Sequence, residues 1–192
     1  MSLPHRRRMM MAAPPMQDWD VAWDYTMGLP EDNGFTLKTQ FISDNSEMTE
    51  NGVLYRPQAS INQPYFELVP TGYTICNEAI FEANVAILEF NSGDNGMRLA
   101  ISDGSSGAQI YVRSGSLYLQ ENRTQTYIRD LSVNTDYIFK IIRKGEKNEV
   151  YLDNDLIYES TVASSLYNTK TRVMFQNGGQ YLLKSIRFKN IS

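Results

Sequence analysis

Hydrophobic and polar positions alternate with a period of two from Trp19 almost to the C-terminus. No stretch carries the convincing stripe of an amphipathic helix. WDVAWDY sets Trp19, Val21, Trp23 and Tyr25 on one face, with Asp20 and Asp24 on the other. Gly28, Pro30 and Asp32-Asn33-Gly34 then mark turns. FTLKTQF resumes the alternation through Phe35, Leu37, Thr39 and Phe41. Further strands are predicted at VLYR (53–56), YFELV (65–69), IFEANVAILEF (80–90), MRLAIS (97–102), AQIYVR (108–113) and SLYLQ (116–120). The series ends with YIFKIIRK (137–144), EVYLD (149–153), LIYES (156–160), RVMFQ (172–176) and YLLKSIRFKNI (181–191). STVASSLYNTK (160–170) offers one helical turn at most. Asp153-Asn154-Asp155 predicts a tight hairpin, because Asn and Asp tolerate positive φ. Lys144-Gly145-Glu146-Lys147-Asn148 predicts a second, longer connection. About a dozen strands at such spacing make a sandwich or barrel.

At 192 residues and 42% hydrophobic, the chain fits one domain, 17–192, behind an arm, 1–16. The single cysteine, Cys76, excludes an intrachain disulfide and is most simply a small packed residue. The single histidine, His5, lies in the arm, so the fold lacks the base of a Ser–His–Asp or Cys–His centre. Zinc of the usual Cys/His kind lacks ligands. No apolar run approaches the roughly 20 residues of a membrane helix. The net charge is −4, and the arm holds three arginines and no acid. The body then has 15 basic and 22 acidic residues, a charge of −7, which disfavours nucleic acid.

The arm reads MSLPHRRRMMMAAPPM. Its apolar stretch stops at Pro14, short of the roughly 7–15 residues of a signal-peptide core, so no secretion is expected. Arg6, Arg7 and Arg8 supply forked charge, and Met9, Met10 and Met11 supply adaptable apolar contact. Those six residues are the expected docking set, with Pro14 and Pro15 as a stiff spacer.

The stretch YIFKIIRKGEKNEVYLDNDLIYES resembles the paired strands of concanavalin A-like and laminin G-like jelly rolls, with Asp153-Asn154 where that group has Asp-Gly. IFEANVAILEF resembles the group's central strand, GDNGMRLAISDGSSGAQIYVR its next two, and YLLKSIRFKNI its closing strand. The resemblance covers roughly residues 65–191 and implies an all-β, two-sheet antiparallel jelly-roll sandwich with an extended N-terminal arm. The layout also resembles small proteins of phages and prophages of Gram-positive bacteria. Those pair an RRRMM leader (here Arg6 to Met11) with a WDYTMGLPEDNGF-like segment (here Trp23 to Phe35). That resemblance implies a virion or tail component.

Glycosidases of this group carry E-x-D-x-E on one strand, where an acid and a nucleophile flank one bond. Glu82 and Glu89 lie seven positions apart, so a regular strand points them to opposite faces. Glu78 shares parity with Glu82 but stands at the strand's start. Laminin G-like domains often hold Ca²⁺ at a rim. Asp94, Asn95, Asp103 and Asp153 are oxygen ligands in turns, yet none forms a Ca²⁺ loop. Turn roles are the first reading for them, and no cofactor is expected other than Ca²⁺, which the resemblance leaves open. Tyr111, Tyr118, Tyr127 and Tyr151 fall on or near strands, where packing is the first role and sugar contact the second. Asn122-Arg123-Thr124 is a formal glycosylation acceptor that should stay bare without secretion.

These readings converge on a non-enzymatic virion surface protein, a capsid decoration or tail-associated component made in the host cytoplasm. Its arm docks on other virion proteins, in multiple copies on a symmetric particle. Its lectin-like domain faces host-surface glycans, without nucleic-acid or membrane contact. The alternatives are a free-standing carbohydrate-binding module and a diverged glycoside hydrolase.

Overall fold

The computed structural model describes residues 18–40, 46–58, 65–72, 78–90, 96–102, 107–121, 124–145, 147–160, 170–176 and 178–191. The docking set Arg6 to Met11, and with it His5, lies outside these, as do Cys76, Asp94, Asn95, Asp103 and segment 161–169.

The described residues form two antiparallel sheets. Sheet I contains β1 (Val21–Asp24), β3 (Ser46–Thr49), β4 (Gly52–Tyr55), β6 (Glu78–Glu89), β11 (Thr135–Lys144), β12 (Lys147–Leu152), β13 (Asp155–Ser160) and β15 (Gln180–Asn190). Its order is β13-β12-β11-β6-β15-β4-β3, and β1 also pairs with β15. Sheet II contains β2 (Phe35–Gln40), β5 (Tyr65–Pro70), β7 (Met97–Ser102), β8 (Gly107–Arg113), β9 (Ser116–Glu121), β10 (Thr124–Asp130) and β14 (Lys170–Gln176). Its order is β10-β9-β8-β7-β14-β5-β2. The chain crosses repeatedly between sheets, so strands distant in sequence become neighbours, as β6 and β15 do. This is the expected all-β jelly-roll sandwich.

Alternation builds the core directly. Phe81, Ala83, Val85 and Ile87 of β6 point inward, as do Leu99 and Ile101 of β7 and Ile110 and Val112 of β8. Tyr55 and Tyr181 of sheet I stack on Phe175 of sheet II, with ring centroids 4.9 and 5.2 Å away. Full burial of such aliphatic and aromatic side chains stabilises by about 1.5–3 kcal/mol each. One end of the interior is polar. Arg143 and Asn148 are fully buried there, and Arg143 Nε donates to the Gly145 carbonyl at 3.3 Å. Ser160 Oγ of sheet I donates to the Glu121 carboxylate of sheet II, tying the sheets together.

Several sequence expectations shift. Of the WDVAWDY face, Trp23 is buried and its Nε1 donates to the Gly28 carbonyl at 2.8 Å. Trp19 lies outside any strand. β1 stops at Asp24 because the Asp24 carboxylate accepts from Thr26 N at 2.9 Å and opens a three-residue 3-10 turn. Asp153 and Asn154 have φ of 51° and 70°, so the predicted hairpin is a two-residue turn and β12 ends at Leu152. The other connection is shorter than its polarity suggested, since Lys147 pairs with Lys144 and Asn148 with Arg143. β3 and β10 carried no apolar alternation and were not predicted. Both are edge strands, SEMT and TQTYIRD, and polar edges discourage pairing with other chains.

Candidate functional site

The two outer faces differ in charge design. On sheet I, opposite charges are interleaved: Glu82 sits 3.8 Å from Lys140 and 3.7 Å from Arg187. Lys184–Asp136 and Lys147–Glu159 pairs lie on the same sheet, at 2.6 and 2.8 Å. That face neutralises itself.

Sheet II is built otherwise. Its register aligns one residue from every strand in a single row: Lys38, Glu67, Met174, Arg98, Tyr111, Tyr118 and Tyr127. The next outward row runs Arg172, Ala100, Gln109, Gln120 and Gln125. The intervening positions, Leu68, Val173, Leu99, Ile110 and Leu119, all point into the core, which fixes the rows outward.

Across β8 to β10 the floor is therefore an aromatic row beside an amide row. Tyr118 and Tyr127 meet edge to face at 5.8 Å, and Tyr127 is 54% exposed. Tyr111 is buried in the face, and the Arg98 guanidinium lies 4.3 Å over its ring. Toward β5 the floor becomes ionic. Arg172 Nη1 donates to Glu67 Oε2 at 3.0 Å, and Lys38 Nζ is 3.9 Å from the same carboxylate. Burial lowers the Arg98 pKa, Tyr111 opposes that fall, and the nearby Arg172 charge adds to it. Burial raises the Tyr111 hydroxyl, while both guanidiniums pull it down. Arg172 Nε, Gln120 Oε1 and Gln176 Oε1 are buried without a hydrogen-bond partner. Unpaired buried polar atoms cost about 1–3 kcal/mol each.

The tyrosines read singly as packing residues thus divide. Three share one row, whereas Tyr151 stands on sheet I and donates to Glu149 Oε2 at 2.9 Å. The opposite facing expected of Glu82 and Glu89 is not observed. A register shift between Glu89 and Ile87 sets Glu89 opposite Gln180, on the outer face with Glu82. Seven residues of strand still separate them by about 23 Å, beyond the roughly 5–9.5 Å of a glycosidase pair. Asp153 accepts from Ile138 N at 2.8 Å in its turn. Among the described residues, no three His, Cys, Asp or Glu side chains group as metal ligands. Arg98, Arg172, Glu67, Gln109 and Gln120 were missed in the sequence. Their signal was a polar residue at alternate positions of otherwise apolar strands.

No protein-family model matches the chain, and no curated protein matches it in sequence. The fold has many counterparts among solved structures. The carbohydrate recognition domain of Emp46p, in its metal-free form, aligns with 91% of this chain and 99% of its own at TM-score 0.66 and 8% identity. A sialidase aligns at TM-score 0.67 and 8% identity over 91% of this chain, which spans only 19% of the sialidase. Carbohydrate binding module CBM66 from Bacillus subtilis aligns at TM-score 0.51 and 15% identity, over 81% of this chain and 95% of that one. Binding modules and enzymes thus share this architecture, and at such identities the likeness defines the jelly-roll fold alone.

Proposed function

We propose that this protein binds carbohydrate, without catalysis, on the outer face of sheet II. The observation that carries this reading is the Tyr118–Tyr127 edge-to-face pair, with Tyr127 exposed, beside half-buried Gln120 and exposed Gln125, while Tyr111 and Gln109 are buried behind them. Aromatic rings offer apolar area to the C–H face of a sugar, and side-chain amides offer paired donors and acceptors to its hydroxyls. The Emp46p domain and CBM66, both carbohydrate binders by description, support the reading through their shared fold. Against catalysis stands the chemistry of the floor. Among the described residues its one buried carboxylate, Glu67, is held in an ion pair with Arg172, and the chain's single histidine is His5.

The test is a glycan array with the wild-type chain and Tyr127→Ala, alongside an assay for released reducing ends. Tyr127 is exposed enough to be truncated without disturbing the core. Losing an aromatic contact worth about 0.5–1.5 kcal/mol weakens binding roughly 2- to 12-fold. Absence of any glycan binding overturns the reading. Release of reducing ends that vanishes in Glu89→Gln overturns its non-enzymatic part.

The finer proposal is that the domain is displayed on a phage particle by its arm. Its support is the composition of residues 1–16, three arginines beside three methionines on an otherwise acidic chain. Each buried methionine contributes about 1.5–3 kcal/mol, against about 1–2 kcal/mol of backbone ordering per docked residue. One arm therefore binds modestly, and repeated copies add avidity. Deleting residues 1–16 should abolish incorporation in an assembly assay. Wild-type incorporation of the truncated chain assigns docking to the sandwich instead.

A further inference from the structure

Seven large apolar side chains are exposed among the described residues, and three of them stand on one side of the sandwich: Met27 at 48%, Leu29 at 36% and Met48 at 40%. The other four are scattered over β10, the β10–β11 connection, β13 and the end of β15. The backbone brings the three together. The 3-10 turn Tyr25–Met27 lies against β4 and β15. The Asn33 amide donates to the Met27 and Leu29 carbonyls at 3.0 and 2.8 Å, which folds a second 3-10 turn, Pro30–Asp32, back beside them. Met48 reaches the same side from β3, where it pairs with Val53 of β4. The rim around these side chains is acidic. Glu31, Asp32 and Glu50 are exposed. Burial first and the Glu31 charge second raise the Tyr55 hydroxyl, which places Glu31 beside β4. Arg56, at the same margin, is paired with Glu47 at 2.9 Å. An apolar patch rimmed by acid fits a segment that is both basic and apolar.

The chain contains one segment of that kind, RRRMMM at residues 6–11. Its tether fits the patch. Trp23 of β1 donates to the Gly28 carbonyl, so Met27 lies within a side chain's reach of β1. Asp18 stands five residues before Trp23, a span of at most about 17 Å. The seven residues from Met11 to Asp18 reach about 23–25 Å when extended. A tether this short holds the segment at an effective concentration on the order of millimolar, above that of a second copy in dilute solution. We infer that the Met27–Leu29–Met48 patch seats the chain's own residues 6–11. Met9, Met10 and Met11 lie on its apolar side chains, and Arg6, Arg7 and Arg8 face Glu31, Asp32 and Glu50. Methionine on both sides suits such a contact, because its unbranched thioether adapts to the surface it meets. From the anchor reading the inference takes only that residues 6–11 form a docking set. It adds that the free protein holds this set closed on its own body, so that a particle surface must compete for it.

The experiment is paramagnetic broadening in the full chain, labelled with ¹³C at the methionine methyls. The chain carries Cys76→Ser and His5→Cys, with a nitroxide at position 5. The methyl signals of Met27 and Met48, assigned through Met27→Leu and Met48→Leu, should lose intensity and regain it when the nitroxide is reduced. The triple variant Glu31→Lys/Asp32→Lys/Glu50→Lys, changed only at exposed positions, should restore the intensity, and added salt should do so in part. A second sample mixes nitroxide-bearing copies without ¹³C and ¹³C-labelled copies without nitroxide, and there no loss is expected. Near-ultraviolet circular dichroism checks that each variant is folded. Full intensity at Met27 and Met48 in the first sample overturns the inference, and so does a loss that survives the charge reversal in a folded variant. Loss in the mixed sample shows exchange of arms between copies and overturns the seating of a chain's own arm. None of these measurements needs a particle. Deletion of residues 1–16 in the assembly assay tests the anchor by itself, and wild-type incorporation there removes the anchor reading while leaving the seat to the broadening result.

Discussion

Asn148 is fully buried on β12, and neither its amide nitrogen nor its carbonyl oxygen has a hydrogen-bond partner. A buried amide left unpaired carries a desolvation cost of about 1–3 kcal/mol, whereas an apolar group of the same shape carries none. Asn148→Leu should therefore stabilise the fold by about 1 kcal/mol, raising Tm by roughly 2–4 °C for a chain of this size. Urea unfolding checks it, and a loss of stability would mean that the amide has a partner. Sequence alone makes Asn148 a turn residue, because the KGEKN string is polar throughout. Only pairing with Arg143 of β11 places it on a strand. The Glu67 and Arg172 pair was equally illegible, since the two residues are 105 positions apart and meet only through β5–β14 pairing.

At the scale of elements, turn chemistry was legible and edges were not. Asp153-Asn154 announced its hairpin because few residues take left-handed φ at low cost. β10 gave no such notice, although it supplies Tyr127 to the site, because a polar edge strand has no buried face to impose alternation. The β3–β4 hairpin meets β15 through Gly52, whose φ is +151°. A Cβ there would stand 2.5 Å from the Leu183 carbonyl oxygen, a backbone atom that cannot step aside. Gly28, with φ of +91°, has open space around its Cβ position. Gly52→Ala should therefore cost about 2–3 kcal/mol, and Gly28→Ala only the backbone strain of about 1–2 kcal/mol. Thermal melting of both variants checks the order. Equal losses would show that close packing of β4 on β15 contributes nothing beyond φ.

For the whole molecule, the aromatic stack between the sheets sets a limit on alkaline stability. Tyr55 and Tyr181 are buried, and burial drives both hydroxyls well above the ordinary tyrosine range near 10. Below that range both hydroxyls are protonated, folded or unfolded, and pH has no leverage through them. Above it, the unfolded chain releases these protons while the folded chain retains them, so stability falls as pH rises. Each site contributes a slope of up to about 1.4 kcal/mol per pH unit. The urea midpoint should decline from about pH 10 upward, and Tyr55→Phe should flatten that decline by one site. An unchanged slope in the variant would assign the effect to other groups.

The sequence by itself determined the architecture. Alternation of side chains with period two follows from the pleat of each strand, and a face such as Phe81–Ile87 must be buried whatever its partner. It also supplied the tyrosines of the site, one strand at a time. Tertiary structure alone decided that Tyr111, Tyr118 and Tyr127 stand in line with Arg98 and Glu67. Register across seven strands is a non-local quantity, set by where the jelly-roll crossings bring β5, β14 and β7 side by side. It likewise decided that Glu82 and Glu89 share a face, because one register shift reverses the parity counted along the chain.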